Sequence, residues 1–281
     1  MLNSALSKIE IPSLQRIAVI IEYDGAKYSG WQKQSSPIQE TVQEKLETAL
    51  SKIADSSIKT YCAGRTDTGV HATTQVVHFE TPIDRGAKAW EAGSNSLLPP
   101  SIRVICSKPV KNKFHARFSA EARRYHYIIQ ERKTASAVLA GKISQSRSIL
   151  NSEAMNLAAA TLIGEQDFSA FRAAGCQSKT PFRNVIRAKI VRQGGFLVFD
   201  IIANAFLQHM VRNIVGALFE IGREERKPSW LAELLAGKDR SLGAPTAPPD
   251  GLYLVGVQYP EEFALPSAYI VPPFLSPIPL D

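Results

Sequence analysis

Cysteine is scarce in this chain, and its distribution argues against two kinds of cross-link. The three cysteines, Cys62, Cys106 and Cys176, are far apart and odd in number, and no Cys-x-x-Cys pair occurs. The five histidines are not spaced with them in the way that metal ligands are. The sequence therefore favours neither a disulfide framework nor a zinc site, and we expect no metal.

Long hydrophobic runs are also missing. No apolar segment approaches the roughly 20 residues that a membrane-spanning helix needs. Asn3, Ser4 and Lys8 interrupt the N-terminal region where a signal peptide would have its apolar core. We therefore expect a cytoplasmic protein with no membrane partner. Its 281 residues are enough for one or two domains with a good core.

Positive charge, by contrast, is in excess. Lys and Arg number 33 against 26 Asp and Glu, which gives a formal net charge of +7 and a pI near 9.3. This balance suits a polyanionic partner such as nucleic acid, although many basic proteins bind none. Charge alone therefore indicates a class of partner and not a function.

Hydrophobic periodicity and turn residues predict a mixture of strands and helices. The predicted strands are 17–21, 58–62, 75–80, 102–106, 125–130, 185–191, 196–202 and 254–258. The predicted helices follow Pro37, span 87–98 and 230–236, and begin near Asn151 and Phe206. Tyr28 and Trp31 are expected to plug the core more readily than to form a stacking platform. Gly216, inside a helix, predicts a close approach of another segment.

One stretch, Cys62 to Ala72, has the composition of a catalytic loop. It reads Cys-Ala-Gly-Arg-Thr-Asp-Thr-Gly-Val-His-Ala, and its β-prone flanks predict a strand, a tight loop and a second strand. Gly64 and Gly69 permit backbone angles that a β-carbon would forbid. Asp67 lies at the tip, and Arg65 favours its charged form, which can act as a nucleophile or a base. Asp-Thr-Gly by itself is also a common surface turn.

The run Gly-Arg-Thr-Asp-Thr-Gly-Val-His-Ala resembles, without a gap, the signature of the TruA-type tRNA pseudouridine synthases. Three further runs resemble motifs of that family in the same order. They are Tyr-Asp-Gly-Ala-Lys-Tyr-Ser-Gly-Trp-Gln from Tyr23, Arg-Arg-Tyr from Arg123, and Asn-Ala-Phe-Leu-Gln-His-Met-Val-Arg-Asn-Ile-Val-Gly from Asn204. The resemblance covers about residues 16–260, and departs from the family at Gly93-Ser94-Asn95, where a polar residue stands in place of an apolar one.

This resemblance implies catalytic roles for four residues. Asp67 would be the nucleophile and Arg65 its ion-pair partner. Tyr125 would pack on the target base and take part in proton transfer, and Arg212 would point into the active site. From the residues alone, Tyr125 is equally well a core aromatic, and Arg212 could be an exposed helical arginine.

Two further segments are rich in basic residues. Basic side chains alternate with aromatics over 114–127, and a long polar loop is predicted over 172–184. Such patterns can bind a phosphate backbone and stack on bases, although solvated arginines and a plain surface loop explain them equally well. We predict RNA contacts from six residues: Arg117, Arg123, Arg124, Arg172, Lys179 and Arg183.

The fold implied by the resemblance is α+β, the pseudouridine synthase fold, in which two similar α/β halves with mixed or antiparallel sheets meet at a central cleft. We divide the chain into an N-terminal arm (1–15), an N-terminal catalytic half (16–110), a C-terminal half (111–260) and a proline-rich segment (261–281). We expect the last segment to be a tail or a partner-binding segment and not part of the core.

The activity implied by the resemblance is the isomerisation of uridine to pseudouridine in the anticodon stem-loop of tRNA, at positions 38–40. A homodimer would bind the tRNA. Because the reaction involves no hydride, phosphate or metal chemistry, we expect no cofactor.

Two other functions stay open on sequence alone. Asp67-Thr68-Gly69 resembles the catalytic triplet of aspartic proteases, but its flank is not an apolar strand, and a positive neighbour opposes the shared proton of a carboxylate dyad. Peptidase activity at acidic pH would support the aspartic-protease alternative. The other alternative is an RNA-binding protein without catalytic activity, whose salt-sensitive tRNA binding would survive loss of Asp67.

Overall fold

The structure is a computed structural model, and it describes residues 14–34, 39–266 and 269–280. Residues 1–13 of the predicted N-terminal arm lie outside the described residues. The strands are β1 (Gln15–Tyr23), β2 (Tyr61–Cys62), β3 (His71–Thr81), β4 (Ile102–Val110), β5 (Ala122–Glu131), β6 (Ser144–Ser146), β7 (Gly164–Asp167), β8 (Phe182–Gln193), β9 (Phe196–Ala203) and β10 (Leu252–Gln258). The α-helices are α1 (Val42–Ala54), α2 (Gly86–Lys88), α3 (Ser94–Leu97), α4 (Ser152–Ala160), α5 (Met210–Gly222) and α6 (Trp230–Gly237).

All ten strands join one mixed sheet, in the order β4-β1-β3-β10-β5-β9-β8-β7, with β2 paired to β3 and β6 to β5. The last strand, β10, runs parallel to β3 and antiparallel to β5. It therefore joins strands of the first half of the chain to strands of the second half. The implied α+β fold is confirmed. The division at residues 110 and 111 stays a prediction, and β4 ends at Val110.

The two faces of the sheet are covered by different parts of the chain. The larger apolar core holds the buried residues of the helices together with one face of the strands. A second, smaller core on the strands includes Ile128, Val198 and Val255, and it also contains Leu275 and Ile278 from the end of the chain. Because the central strands are covered on both faces, β5 is buried along most of its length. This explains why its alternation in sequence did not assign a single apolar face.

The expectation that residues 261–281 stay outside the core is wrong for the described parts, 261–266 and 269–280, and Phe263 packs in the larger core. Ile270 donates its backbone N–H to Val255 O at 3.0 Å, and Thr73 donates its hydroxyl to Ile270 O. Leu275 and Ile278 are buried. Proline removes backbone donors but does not prevent apolar side chains from packing, so a proline-rich segment can still cover a sheet.

Several local predictions are confirmed and others need revision. The hairpin through Gly194 and Gly195 joins β8 and β9 as predicted. The helix predicted over 87–98 is interrupted by a π-helical segment, Ala89–Gly93. The helix predicted from Phe206 begins only at Met210. Strands β6 and β7 have too few apolar residues to be recognised from sequence.

Within the described residues, no helix is both long and apolar enough to cross a membrane. The helix α5 is the most completely buried, and Gly216 lies at its centre. A β-carbon on Gly216 would lie 2.1 Å from Pro245 O, a distance that real contacts do not show. The predicted close approach at Gly216 is therefore confirmed, and it brings the segment before β10 against α5.

Candidate active site

The loop that carries Asp67 connects β2 to β3, as the flanking strands predicted. The two strands pair antiparallel, with Tyr61 opposite His78 and Cys62 opposite Val77. Val70 donates its N–H to Asp67 O at 3.1 Å and closes the turn. Gly69 has a φ of +79°, the left-handed region that favours glycine. Gly64 has no positive φ; a β-carbon there would instead lie 3.4 Å from the Tyr125 hydroxyl.

The segment after β1, residues 28–31, packs against the Asp67 loop, and we call this segment the floor of the loop. Trp31 donates its N–H to Thr66 O at 3.0 Å, and Gly69 donates to Tyr28 O at 3.3 Å. Gly30 lies between these bonds with a φ of +86°, and a β-carbon on it would lie 2.7 Å from Thr66 O. Tyr28 and Trp31 are 4% and 1% exposed, so the predicted core plug is confirmed. This segment supports the loop from beneath.

Buried polar side chains fix the loop from the sheet side. Tyr23 and Thr66 share a hydrogen bond of 2.8 Å between their hydroxyl oxygens. Gln75, fully buried in β3, donates to Gly64 O at 2.6 Å and accepts from Gly64 N at 3.3 Å. The backbone on the approach to Asp67 is therefore held by the core and not by solvent-exposed contacts.

The basic partners of Asp67 come from the N-terminal end of α5. Arg212 donates from a terminal guanidinium nitrogen to Asp67 Oδ2 at 3.5 Å, and His209 Nε2 lies 3.6 Å from the same oxygen. Asp67 is one quarter exposed and Arg212 14% exposed, so the pair is partly shielded from water. This geometry brings Arg212 to Asp67, in agreement with the expectation that Arg212 points into the same site.

Arg65 does not pair with Asp67 in this structure. Its guanidinium is exposed and donates to Gln177 Oε1 at 3.3 Å, on the loop before β8. Proximity in sequence therefore does not make Arg65 and Asp67 partners. The ion-pair role assigned to Arg65 from sequence passes to Arg212.

His209 is a site residue that sequence reasoning did not select. It immediately precedes α5 and adopts a φ of +61°, a left-handed conformation that is uncommon for a residue with a β-carbon. Its signal in the sequence was weak: it lies three residues before Arg212, on the same stripe of the predicted helix. The unusual backbone turns its ring toward Asp67.

Tyr125 lies beside the loop and is 7% exposed. Its ring packs edge-on against Phe206, with centroids 5.0 Å apart. Burial raises the pKa of the Tyr125 hydroxyl; the Arg123 charge opposes this effect and the Asp67 charge adds to it. At neutral pH the side chain is therefore a phenol, suited to packing and donating a hydrogen bond.

The six basic residues predicted to contact RNA occupy different environments. Arg117 and Lys179 are exposed. Arg172 is partly buried and closes the loop before β8 by donating to Cys176 O and Ser178 O. Arg183 is buried and donates to Thr180 O and Ser178 Oγ. The structure thus leaves two of the six side chains, Arg117 and Lys179, in open positions on the surface.

The remaining two residues, Arg123 and Arg124, have structural roles in place of the predicted RNA contacts. Arg123 donates to several backbone oxygens, including Ala63 O at 2.9 Å on the approach to Asp67. Arg124 lies on the opposite face of β5 and donates to both carboxylate oxygens of the fully buried Asp200, at 2.7 and 2.8 Å. A buried guanidinium needs such partners, because an unpaired one would be strongly destabilising.

Asp200 is held in its charged form by this network. Burial by itself would raise the pKa of Asp200, but hydrogen bonds from His126 and Arg124 outweigh it and hold the pKa below its usual range. Arg124 also donates to Ile278 O at 2.8 Å and lies over the ring of Tyr269. The network therefore fastens the C-terminal segment to the sheet, away from the loop of Asp67.

Comparison with known proteins is consistent with this arrangement. The tRNA pseudouridine synthase family model matches residues 19–119 and 158–260. Proteins described as tRNA pseudouridine synthase A from Citrobacter koseri and Enterobacter sp. strain 638 are 52% and 53% identical over 271 residues, which cover 96% of this chain and 100% of each relative. A relative of the same description from Escherichia coli is 51% identical with the same coverage. The chain therefore belongs to the tRNA pseudouridine synthase family.

Proposed function

We propose that this protein converts uridine to pseudouridine in tRNA, that Asp67 is its catalytic carboxylate, and that the target lies in the anticodon stem-loop at positions 38–40. The observation that carries the proposal is the Asp67–Arg212 pair of 3.5 Å, beside the buried Tyr125, in a chain of this family. The relatives that match along their whole length are named as synthases of this class.

The reaction is an isomerisation, so every atom of the uridine is retained. The N1–C1′ bond breaks, the base turns, and a C5–C1′ bond forms. The C5 proton leaves and N1 gains a proton, so no oxidant or reductant is consumed. The reaction does need a nucleophile or a base at the sugar or the base ring, and an ionised, correctly oriented side chain can fill that role. Asp67 fits this need, by attack at C1′ or C6 or as a base at the sugar.

Arg212 and His209 act through Asp67. Both groups approach Asp67 Oδ2, which leaves Oδ1 for the substrate. The Arg212 guanidinium also donates to Ala247 O at 2.8 Å. A cation fixed by the backbone holds the carboxylate in one orientation, and correct orientation accounts for a large part of many enzymatic rate enhancements.

Tyr125 provides an apolar surface for the flipped base. Its raised pKa keeps the phenol protonated at neutral pH, which suits stacking better than removal of the C5 proton. Extrusion of a base from a stem costs roughly a few kcal/mol. Contacts of Arg117, Lys179 and the exposed Arg65 with phosphates offset part of that cost.

The same proposal includes a homodimer in the cytoplasm, in which one tRNA contacts both subunits. Light scattering of the protein with and without tRNA measures the stoichiometry. A monomer that binds tRNA one to one would contradict the dimer while leaving the chemistry of Asp67 untouched.

The aspartic-protease alternative is disfavoured by the same geometry. A carboxylate dyad works by sharing one proton between two acids. Here the near neighbours of Asp67 are a guanidinium and an imidazole, at 3.5 and 3.6 Å. Neither group is a second acid with which Asp67 could share a proton.

Tritium release from C5-labelled uridine in unmodified tRNA tests the proposal. We expect release by the wild type, none by Asp67→Asn, and tRNA affinity that changes little. Asp84→Asn is the matched control, since Asp84 is an exposed loop carboxylate whose one bond to a backbone N–H an asparagine can keep. No release by the wild type, with binding retained, would support a binding protein without catalytic activity. A fully active Asp67→Asn variant would remove Asp67 from the mechanism.

A further inference from the structure

Four aromatic rings, two of them exposed, one partly buried and one buried, contact one another beside β2, the strand that leads into the Asp67 loop. They are Tyr61, His78, His115 and Phe118, and we call them the aromatic array. Phe118 is 76% exposed and Tyr61 is 42% exposed, unusually open positions for rings of this size. An exposed aromatic cluster of this kind marks a contact surface more often than a packing defect.

The rings contact one another in turn, with the first pair stacked, the second edge-on and the third tilted. The centroids of Tyr61 and His78 are 5.1 Å apart with an interplanar angle of 20°, and those of His78 and His115 are 4.6 Å apart. His115 and Phe118 follow at 4.4 Å. The array is therefore continuous from β2 to the turn before β5.

Hydrogen bonds build this turn around the two imidazoles. Ala116 donates its N–H to His78 Nδ1 at 3.1 Å, while Arg117 and Phe118 donate theirs to His115 Nδ1 at 3.1 and 3.3 Å. Three consecutive backbone donors thus point at two rings, and Phe118 is held outward without help from the core. Burial, with nearby positive charge, lowers the pKa of His78 to about 4 and also lowers that of His115, so both rings are neutral at pH 7.

Positive charge borders the array at both ends. Lys59 Nζ lies 5.7 Å from the Tyr61 ring centroid, and the Arg117 guanidinium lies 5.6 Å from that of Phe118. The nearby acid, Glu80, is paired with Arg16. The exposed rings of Tyr61 and Phe118, each beside a cation, suit a single-stranded nucleic acid, whose bases can stack on the rings and whose phosphates can pair with the cations.

The array is also linked to the active-site loop. Tyr61 belongs to β2, which continues into the loop of Asp67. Arg123 donates to both Ala63 O and Arg117 O, at 2.9 and 2.5 Å, and so joins the loop to the turn of Phe118. A nucleotide held on the array would therefore contact residues that are joined to the backbone of the Asp67 loop.

We propose that the aromatic array binds an unpaired base of the substrate tRNA by stacking on Phe118 and Tyr61, while Lys59 and Arg117 contact the flanking phosphates. This site is separate from the position of the reacting uridine beside Tyr125. The inference rests on the proposed tRNA substrate and deepens it, because it assigns the enzyme a second base-binding position that recognises loop or single-stranded nucleotides.

Steady-state kinetics on an unmodified tRNA transcript tests this site. Phe118→Leu keeps an apolar side chain but removes the ring, and we expect KM to rise about tenfold with little change in kcat. Phe118→Tyr retains the ring and should behave as the wild type does. An unchanged KM for Phe118→Leu, or an equal rise for Phe118→Tyr, would overturn the assignment.

A binding measurement separates this inference from the catalytic proposal. In the F118W variant the indole should be quenched by the tRNA transcript and by a single-stranded RNA oligonucleotide, but much less by a fully paired RNA duplex of equal length. Trp31 and Trp90 are buried, but Trp230 at the start of α6 is partly exposed, so the wild-type protein is titrated in parallel and its quenching is subtracted. Equal quenching by the duplex, or none by either RNA, would contradict base stacking. This readout needs no catalysis, so it stands whether or not tritium is released.

Discussion

Arg212 and Asp67 are separated by 145 residues in the chain, yet the guanidinium and the carboxylate lie 3.5 Å apart. Arg212 also exchanges two bonds with Ala247: its side chain donates to Ala247 O at 2.8 Å, and its backbone O accepts from Ala247 N at 3.1 Å. The cation is thus fixed before substrate binds. A fixed cation orients the carboxylate more strictly than a mobile one could, because fewer rotamers have to be ordered in the transition state.

The first prediction concerns this fixed orientation. Arg212→Lys keeps the charge but cannot both donate to Ala247 O and reach Asp67 in the same geometry, since lysine has no planar fork. We expect the single-turnover rate of pseudouridine formation to fall about 10²-fold, with tRNA affinity nearly unchanged. Arg223→Lys, at the other end of α5 and exposed, is the control and should keep the rate. Equal rates for the two variants would contradict a positioning role.

His209 offers a separate test, because its backbone and its ring can be changed independently. Asparagine tolerates the left-handed conformation, so His209→Asn should preserve the start of α5 at a φ of +61° while removing the imidazole from Asp67. We expect unchanged thermal stability and a rate about tenfold lower. If the rate of His209→Asn matched that of the wild type, the ring would have no part in catalysis.

Gly30 tests whether the floor of the loop controls the position of Asp67. An alanine at Gly30 would bring a β-carbon 2.7 Å from Thr66 O, so the loop has to move. Gly195→Ala is a matched control, because Gly195 has the same φ of +86° but open space around it. Both variants should lose about 1–2 kcal/mol of unfolding free energy to backbone strain, and Gly30→Ala should lose more because its β-carbon also displaces the backbone of Thr66.

The two glycine variants should differ in their catalytic rates. A shift of about 1 Å in a catalytic group can lower a rate 10²-fold, so Gly30→Ala should lose most of its activity and Gly195→Ala should keep it. Urea unfolding gives the stabilities, and tritium release gives the rates. If the two variants lost activity in proportion to their stability, the loop would not be positioned by its floor.

The parts of this fold that the sequence predicts are local ones. The Asp67 loop is one continuous stretch between two β-prone segments, so neighbours in sequence define it. Gly216 in a helix similarly indicated a close approach, because glycine is unfavourable in a helix unless space requires it. Each of these inferences depends on the backbone within a few residues of the position concerned.

The contacts that the pattern of residues did not predict are those between elements that are far apart in the chain. Arg65 is close to Asp67 in sequence, yet the partner is Arg212 of α5, which Ala247 of the segment before β10 holds in place. Only the family resemblance, and not the pattern of residues, indicated that Arg212 lies in the active site. Arg124 looked like an RNA contact because its partner, Asp200, lies on β9, opposite His126 in the strand register. The composition of residues 261–281 likewise carried no information about the sheet face that part of this segment covers.

The last prediction is a pH dependence of stability that arises from His78. The folded protein holds the pKa of His78 near 4, mainly by burial, whereas an unfolded histidine titrates near 6.5. Between these values the unfolded chain binds more protons than the folded one, so acid destabilises the fold. The contribution of His78 to the free energy of unfolding is constant above about pH 6.5. Between there and about pH 4 it falls by up to about 1.4 kcal/mol for each pH unit.

His78→Asn separates this effect from the other titrating groups. The asparagine oxygen can accept from Ala116 N in place of His78 Nδ1 but does not titrate. Urea unfolding at about pH 7 and about pH 5 should therefore show a smaller loss of stability in the variant than in the wild type, because the carboxylates and His115 are common to both. Parallel losses in the two proteins would mean that His78 binds its proton as readily in the fold as in the unfolded chain, so that it is protonated in the fold at about pH 5. In that case it could not accept the Ala116 N–H, and the turn that presents Phe118 would have to be held by other bonds.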